Sequence, residues 1–159
     1  MAGICIGSLQ ELDFFACALL KAVPDGSFPT LLLKGEMGAG KTSLVSRIIN
    51  RMPGSDKCEV ASPSFNIYNV YPVNPEVWHW DLYRCKSSLP DEFMEAIDDP
   101  RKWNIVEWAY FLNPSDIPLN FLDITIKLNK NMRLFTINGH GEYGHRYAAS
   151  LEEILTGKL

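Results

Sequence analysis

The stretch Thr30-Leu-Leu-Leu-Lys-Gly-Glu-Met-Gly-Ala-Gly-Lys-Thr42 limits the folds open to this chain more than any other. Gly35 to Thr42 matches the pattern G-x-x-x-x-G-K-[S/T] at every fixed position. A short apolar run, Leu31 to Leu33, precedes it and reads as a buried strand. Ser43 to Asn50 follows, with Leu44, Val45, Ile48 and Ile49 at helical spacing. Each part has a physical task. The glycines let successive N–H groups turn inward around a phosphate, and the helix N-terminus adds its partial positive charge. Lys41 can reach the outer phosphates, and the Thr42 hydroxyl suits Mg²⁺. Strand, loop and helix in this order imply a nucleoside triphosphate site on an α/β scaffold.

The 159 residues suffice for one domain, residues 1–159, with a sizeable core. Hydrophobic residues make up 47% and charged ones 21%, as in globular soluble proteins, and the net charge of −4 argues against a broad basic surface for nucleic acid. Contact with RNA through a partner stays open. Cys5, Cys17, Cys58 and Cys85 lie far apart, with no C-x-x-C pair and no metal-type His spacing. There is no Lys or Arg before Lys21, and Phe14 to Leu20, the longest apolar run, is too short to span a bilayer. A cytoplasmic chain with reduced thiols is expected.

Ser8-Leu-Gln-Glu11 predicts a capping box, opening a helix that turns Leu9, Leu12, Phe15, Ala16 and Leu19 to one face. Pro24 to Ser27 ends it. Phe65 to Tyr71 and Val77 to Asp81 read as two strands of a hairpin around Asn74-Pro75. Asp91 to Ile97 predicts a short helix, and Asn104 to Trp108 a core strand carrying an acid at its end. Phe121 to Leu128 and Arg133 to Asn138 predict a second hairpin. Gly139, Gly141 and Gly144 imply an irregular segment before a final helix from Tyr147 to Leu155.

A triphosphate site needs an acid near the metal, usually at the end of a neighbouring strand. Asp81 and Glu107 both stand at such ends. His79, His140 and His145 lack companions for a metal site, and His79 reads as a half-buried strand residue. The order of the phosphate loop, Ser62-Pro-Ser-Phe65, His79-Trp-Asp-Leu-Tyr-Arg84 and Glu107-Trp108 resembles the bacterial TsaE family, also called YjeE, from about Ser8 to Gly141. That family supplies the small ATPase of the tRNA threonylcarbamoyladenosine (t6A) pathway. Its Asp-Leu-Tyr-Arg and Glu-Trp blocks are far more specific than the phosphate loop.

The resemblance implies a three-layer P-loop NTPase fold of the α/β class, with a mostly parallel central sheet joined by antiparallel hairpins. It implies ATP and Mg²⁺ as cofactors. Gly38, Ala39, Gly40, Lys41, Thr42 and Ser43 would hold the phosphates; Thr42 and Glu107 would bind Mg²⁺. Asp81, with Lys41, would be catalytic, Asp81 orienting the attacking water. Ser62 to Phe65 would be a switch-like loop, Trp108 would pack near the nucleotide, and Arg133 would contact it from the hairpin. Departures are Ser64 for a usual Thr, Leu12 near a usual Thr, and Glu95 and Ala96 where Gly is common.

The resemblance further implies partners of the TsaD and TsaB type, which transfer a threonylcarbamoyl group to an adenosine of tRNAs reading ANN codons. ATP hydrolysis would reset that assembly and would be slow in the isolated chain. Arg84 is one possible arginine finger. Three other readings share the phosphate loop: a small-molecule kinase, a GTPase, and a binding module whose nucleotide occupancy controls docking. The region after Glu107 lacks the Arg-rich helical lid of a kinase, and Asn129-Lys130-Asn131-Met132 lacks the Asp that reads guanine.

Overall fold

Residues 3–63, 65–85 and 88–157 are described by the computed structural model. Ser64 lies outside them. The strands are β1 Ile4–Ile6, β2 Thr30–Gly35, β3 Tyr68–Tyr71, β4 Glu76–Asp81, β5 Lys102–Glu107, β6 Phe121–Asn129 and β7 Met132–His140. The helices are α1 Leu9–Lys21, α2 Lys41–Ile49, α3 Asp91–Asp98 and α4 Gly141–Leu155. One seven-stranded sheet runs β1-β7-β6-β2-β5-β4-β3. β2 pairs in parallel with β5 and β6, and β4 with β5. β3 and β7 run the other way. The sheet is thus mostly parallel, with a hairpin on either flank.

Burial on both faces explains the unbroken apolar run of β2. Leu31 and Leu33 join a core with α1, α2 and α4, while Leu32 faces the other way with Trp80, Phe93 and Val106. Each such side chain, fully buried, contributes roughly 1.5–3 kcal/mol. The layers are unequal, with three helices on one face and α3 on the other.

Helix α1 opens on the expected capping box: Glu11 N donates to Ser8 Oγ at 3.1 Å, and Ser8 N donates to the Glu11 carboxylate at 3.0 Å. Its apolar face differs in one residue, because Leu9 is 63% exposed. Side chains lean toward a helix N-terminus, so a residue in the first turn leans off the end of the core. β1 was not foreseen, since three residues are too few to show alternation.

β3 begins at Tyr68, later than the alternation of Phe65 to Tyr71 suggests. The N–H groups of Asn66 and Ile67 fold back on Pro63 O at 2.9 and 2.8 Å, and Ile67 takes a φ of 69°. β5 ends at Glu107, because Trp108 also turns left-handed at φ 59°.

The largest correction is at α4. It starts at Gly141, inside the segment expected to be irregular. The glycines there serve close approach of backbones. A Cβ on Gly144 would stand 2.4 Å from Phe121 O, and one on Gly139 would stand 2.0 Å from Gly144 O. Farther along α4, Tyr147 donates its hydroxyl to Leu19 O at 2.8 Å and ties the helix to α1. Burial pushes that phenol's pKa up. Cys5, Cys17, Cys58 and Cys85 are free thiols. Among the described residues no helix is long and apolar enough to cross a membrane.

Candidate nucleotide-binding site

The phosphate-type loop leaves the carboxyl end of β2 and enters α2, at the edge of the sheet where open α/β proteins bind ligands. Gly38 and Gly40 have φ values of 78° and 106°, closed to ordinary side chains. Neighbouring elements hold the loop in shape. Gly35 N donates to the Tyr110 hydroxyl, and Arg133 Nε on β7 donates to Ala39 O at 2.9 Å.

Lys41 is only 4% exposed. Its ammonium donates to Gly35 O and Glu36 O at 2.8 and 2.9 Å and sits 3.9 Å over the Trp108 ring. Burial lowers its pKa, while the nearby Glu107 and Asp81 carboxylates act to raise it. The left-handed turn at Trp108 is what swings the indole beside this lysine. A backbone held there costs about 1–3 kcal/mol and persists where its surroundings over-determine it.

The two strand-end acids come together through sheet register, which sets Asp81 opposite Glu107. Thr42 Oγ1 donates to Glu107 Oε1 at 2.8 Å, and the same oxygen takes a second hydrogen bond from His79 Nε2, also at 2.8 Å. Asp81 takes Tyr83 N on Oδ1 and the Ser62 hydroxyl on Oδ2, both at 3.0 Å. The strained Ile67 stands directly behind it, accepting Asp81 N at 2.7 Å. Two of the three left-handed non-glycine residues, Ile67 and Trp108, therefore sit at the acids, and the third, Lys130, turns the β6–β7 hairpin.

A cavity of about 390 Å³ is walled by Gly38, Gly40, Lys41, Thr42, Ser43, Ser62, Asp81, Glu107, Trp108 and Arg133, all singled out from the sequence, together with Met37 and Tyr83. Ala39 is fully buried under the loop and shows its carbonyl to Arg133. Arg84 does not line this cavity; its guanidinium lies 4.9 Å over the Phe65 ring. Leu12 is buried in the helical core. Ala96, at a position where Gly is common, is fully buried and accepts Asn104 Nδ2 at 2.7 Å.

The sequence assigns no site role to three residues, His79, Tyr83 and Tyr110, and it expects His79 to be only half-buried. His79 is fully buried, with its ring 6.3 Å from that of Tyr71. Its phase was visible, since Val77, His79 and Asp81 alternate on one face. Its partner was not, because Glu107 is 28 positions away. Tyr83 and Tyr110 carried no periodic signal.

The donors near Thr42 and Glu107 are oxygens, which suit a hard cation such as Mg²⁺. Among the described residues no group of three or more His, Cys, Asp or Glu forms a metal cage. Mg²⁺ on a triphosphate takes only one or two protein ligands, with phosphates and water completing its shell. The residues fit such an ion.

Comparison with known proteins agrees with this geometry. A family model described as Threonylcarbamoyl adenosine biosynthesis protein TsaE matches residues 6–135. The chain is 32% identical over 112 residues to a tRNA threonylcarbamoyladenosine biosynthesis protein TsaE of Rickettsia typhi, a match covering 67% of this chain and 75% of the relative. A protein of the same name from Rickettsia felis is 35% identical over 115 residues, covering 67% of this chain and 63% of that protein. The crystal structure of Bacillus subtilis YdiB shares the fold, with a TM-score of 0.73 at 23% identity, covering 99% of this chain and 95% of that one. With the phosphate loop, the paired acids and the Glu-Trp block in place over most of its length, the chain belongs to the TsaE family.

Proposed function

We propose that this chain is a Mg²⁺-dependent ATPase, one P-loop domain acting in the cytoplasm with TsaD- and TsaB-type proteins in making threonylcarbamoyladenosine in tRNA. The observation that carries the reading is the meeting of Thr42 with Glu107 at 2.8 Å beside Asp81, on three elements that converge at one edge of the sheet. Backbone N–H groups from Gly38 to Ser43 would bind phosphate oxygens, and Lys41 would turn its ammonium from the loop carbonyls to the outer phosphates. Thr42 and Glu107 would hold Mg²⁺, which supplies charge neutralisation when bound. Asp81, fixed by Ser62 and the Tyr83 N–H, would orient the attacking water. Trp108 and Arg133 would close the two sides of the nucleotide.

Hydrolysis in this reading resets the assembly and does not itself transfer the threonylcarbamoyl group. The test is ATP hydrolysis by the purified chain, alone and with TsaD- and TsaB-type proteins plus tRNA. Slow turnover alone and clear stimulation by the partners is the expected result. Asp81→Ala should bind ATP yet lose about 100-fold or more in turnover, and Lys41→Ala should bind weakly. If both variants bind ATP and support tRNA modification as the unaltered chain does, the ATPase reading is wrong. No stimulation and no binding to either partner would remove the pathway assignment.

A further inference from the structure

We infer that His79 is a positioning residue for the Glu107 carboxylate, presenting it to the divalent cation that accompanies the triphosphate; this rests on the nucleotide–metal reading of the site. His79 is fully buried, and Glu107 is 2% exposed. β4 and β5 pair His79 with Ile105 and Asp81 with Glu107, so Glu107 and His79 are diagonal neighbours on one face of the sheet. Their contact is 2.8 Å, from His79 Nε2 to Glu107 Oε1. A carboxylate brings no hydrogen to such a bond, so Nε2 carries the proton and donates it.

The other ring nitrogen shows that this bond, and not packing, selects histidine. Nδ1 is buried and has no hydrogen-bond partner among the described residues. An apolar ring at this place would fill the same space and leave no lone pair stranded. What histidine adds is the single N–H aimed at Glu107. Both hydrogen bonds to the carboxylate, from His79 and from Thr42, fall on Oε1. Among the described residues Oε2 takes none, and Glu107 lines the cavity. His79 therefore fixes the rotation of the carboxylate and keeps one oxygen available. It does not itself line the cavity, so it acts through Glu107 and touches no substrate.

The test compares His79→Gln and His79→Met, side chains of similar bulk of which only Gln offers an N–H. Mn²⁺ affinity is measured by electron paramagnetic resonance in the presence of a non-hydrolysable ATP analogue, and analogue affinity is measured separately in EDTA. Met should lower Mn²⁺ affinity by about 10–100-fold, the range seen when an outer partner of a metal ligand is lost. Its EDTA affinity should stay within about twofold, and Gln should regain most of the metal affinity. Equal Mn²⁺ affinity in the two variants would overturn the role of His79. So would a parallel loss of metal-dependent and metal-free binding, which marks a packing residue. If the unaltered chain binds neither the analogue nor Mn²⁺, the nucleotide–metal reading itself falls.

Discussion

Lys41 spends its charge on protein groups. Two loop carbonyls and the face of Trp108 surround its ammonium, in a setting where burial disfavours the charged form. A cation over an indole gains roughly 0.5–2 kcal/mol, most when it is desolvated as here. Removing the ring should therefore leave the lysine less well placed for a phosphate. Trp108→Ala is expected to weaken ATP binding by about tenfold by calorimetry, with Trp108→Phe keeping part of the loss at bay because it retains an aromatic face. Affinity unchanged in Trp108→Ala would show that the ring only covers the loop. Lys41 and Thr42 were legible in the sequence because a phosphate loop sets its residues at fixed spacing. Asp81 and Glu107 were legible as acids at strand ends. The grip of Arg133 and Tyr110 on the loop was not, since each reaches it across tens of residues of chain.

Elements were readable where a period runs long enough to be counted. Helix α1 shows its cap and apolar face, and both hairpins show strand alternation. Reading failed where one residue type has two uses. Glycine in a run suggests irregular chain, yet Gly139 and Gly144 let the first turn of α4 press backbone to backbone on β6 and β7. Gly144→Ala is expected to destabilise the protein by about 2–3 kcal/mol in urea unfolding, because the new methyl meets Phe121 O in a place that cannot yield. Gly7→Ala, whose methyl would find nothing nearer than 3.4 Å, serves as the matched control and should change little. Equal midpoints for the two would show that α4 can shift away from the sheet. Ile67 misled for the opposite reason. An apolar residue two places after Phe65 and four before Tyr71 looks like strand, and only its left-handed turn brings its carbonyl to Asp81.

At the scale of the molecule, the sequence showed the two hairpins by strand alternation and the mostly parallel sheet only by its family resemblance. It could not announce the sheet's outer edge. β1 pairs Ile4 with Phe135 and Ile6 with Arg133, so one edge of the sheet is built from residues near opposite ends of the described chain. Contacts of such separation form late, since the closure of a long loop must be met before the pairing rewards it. In pulse-labelled hydrogen exchange during refolding, the amides of Ile4 to Ile6 should gain protection after those of the β6–β7 hairpin, and simultaneous protection would refute this order. The same pairing puts the clock of synthesis against the order of assembly. Residues 4–6 leave the ribosome before every other described strand of the sheet, yet the strand that must receive them is the last of these to be made.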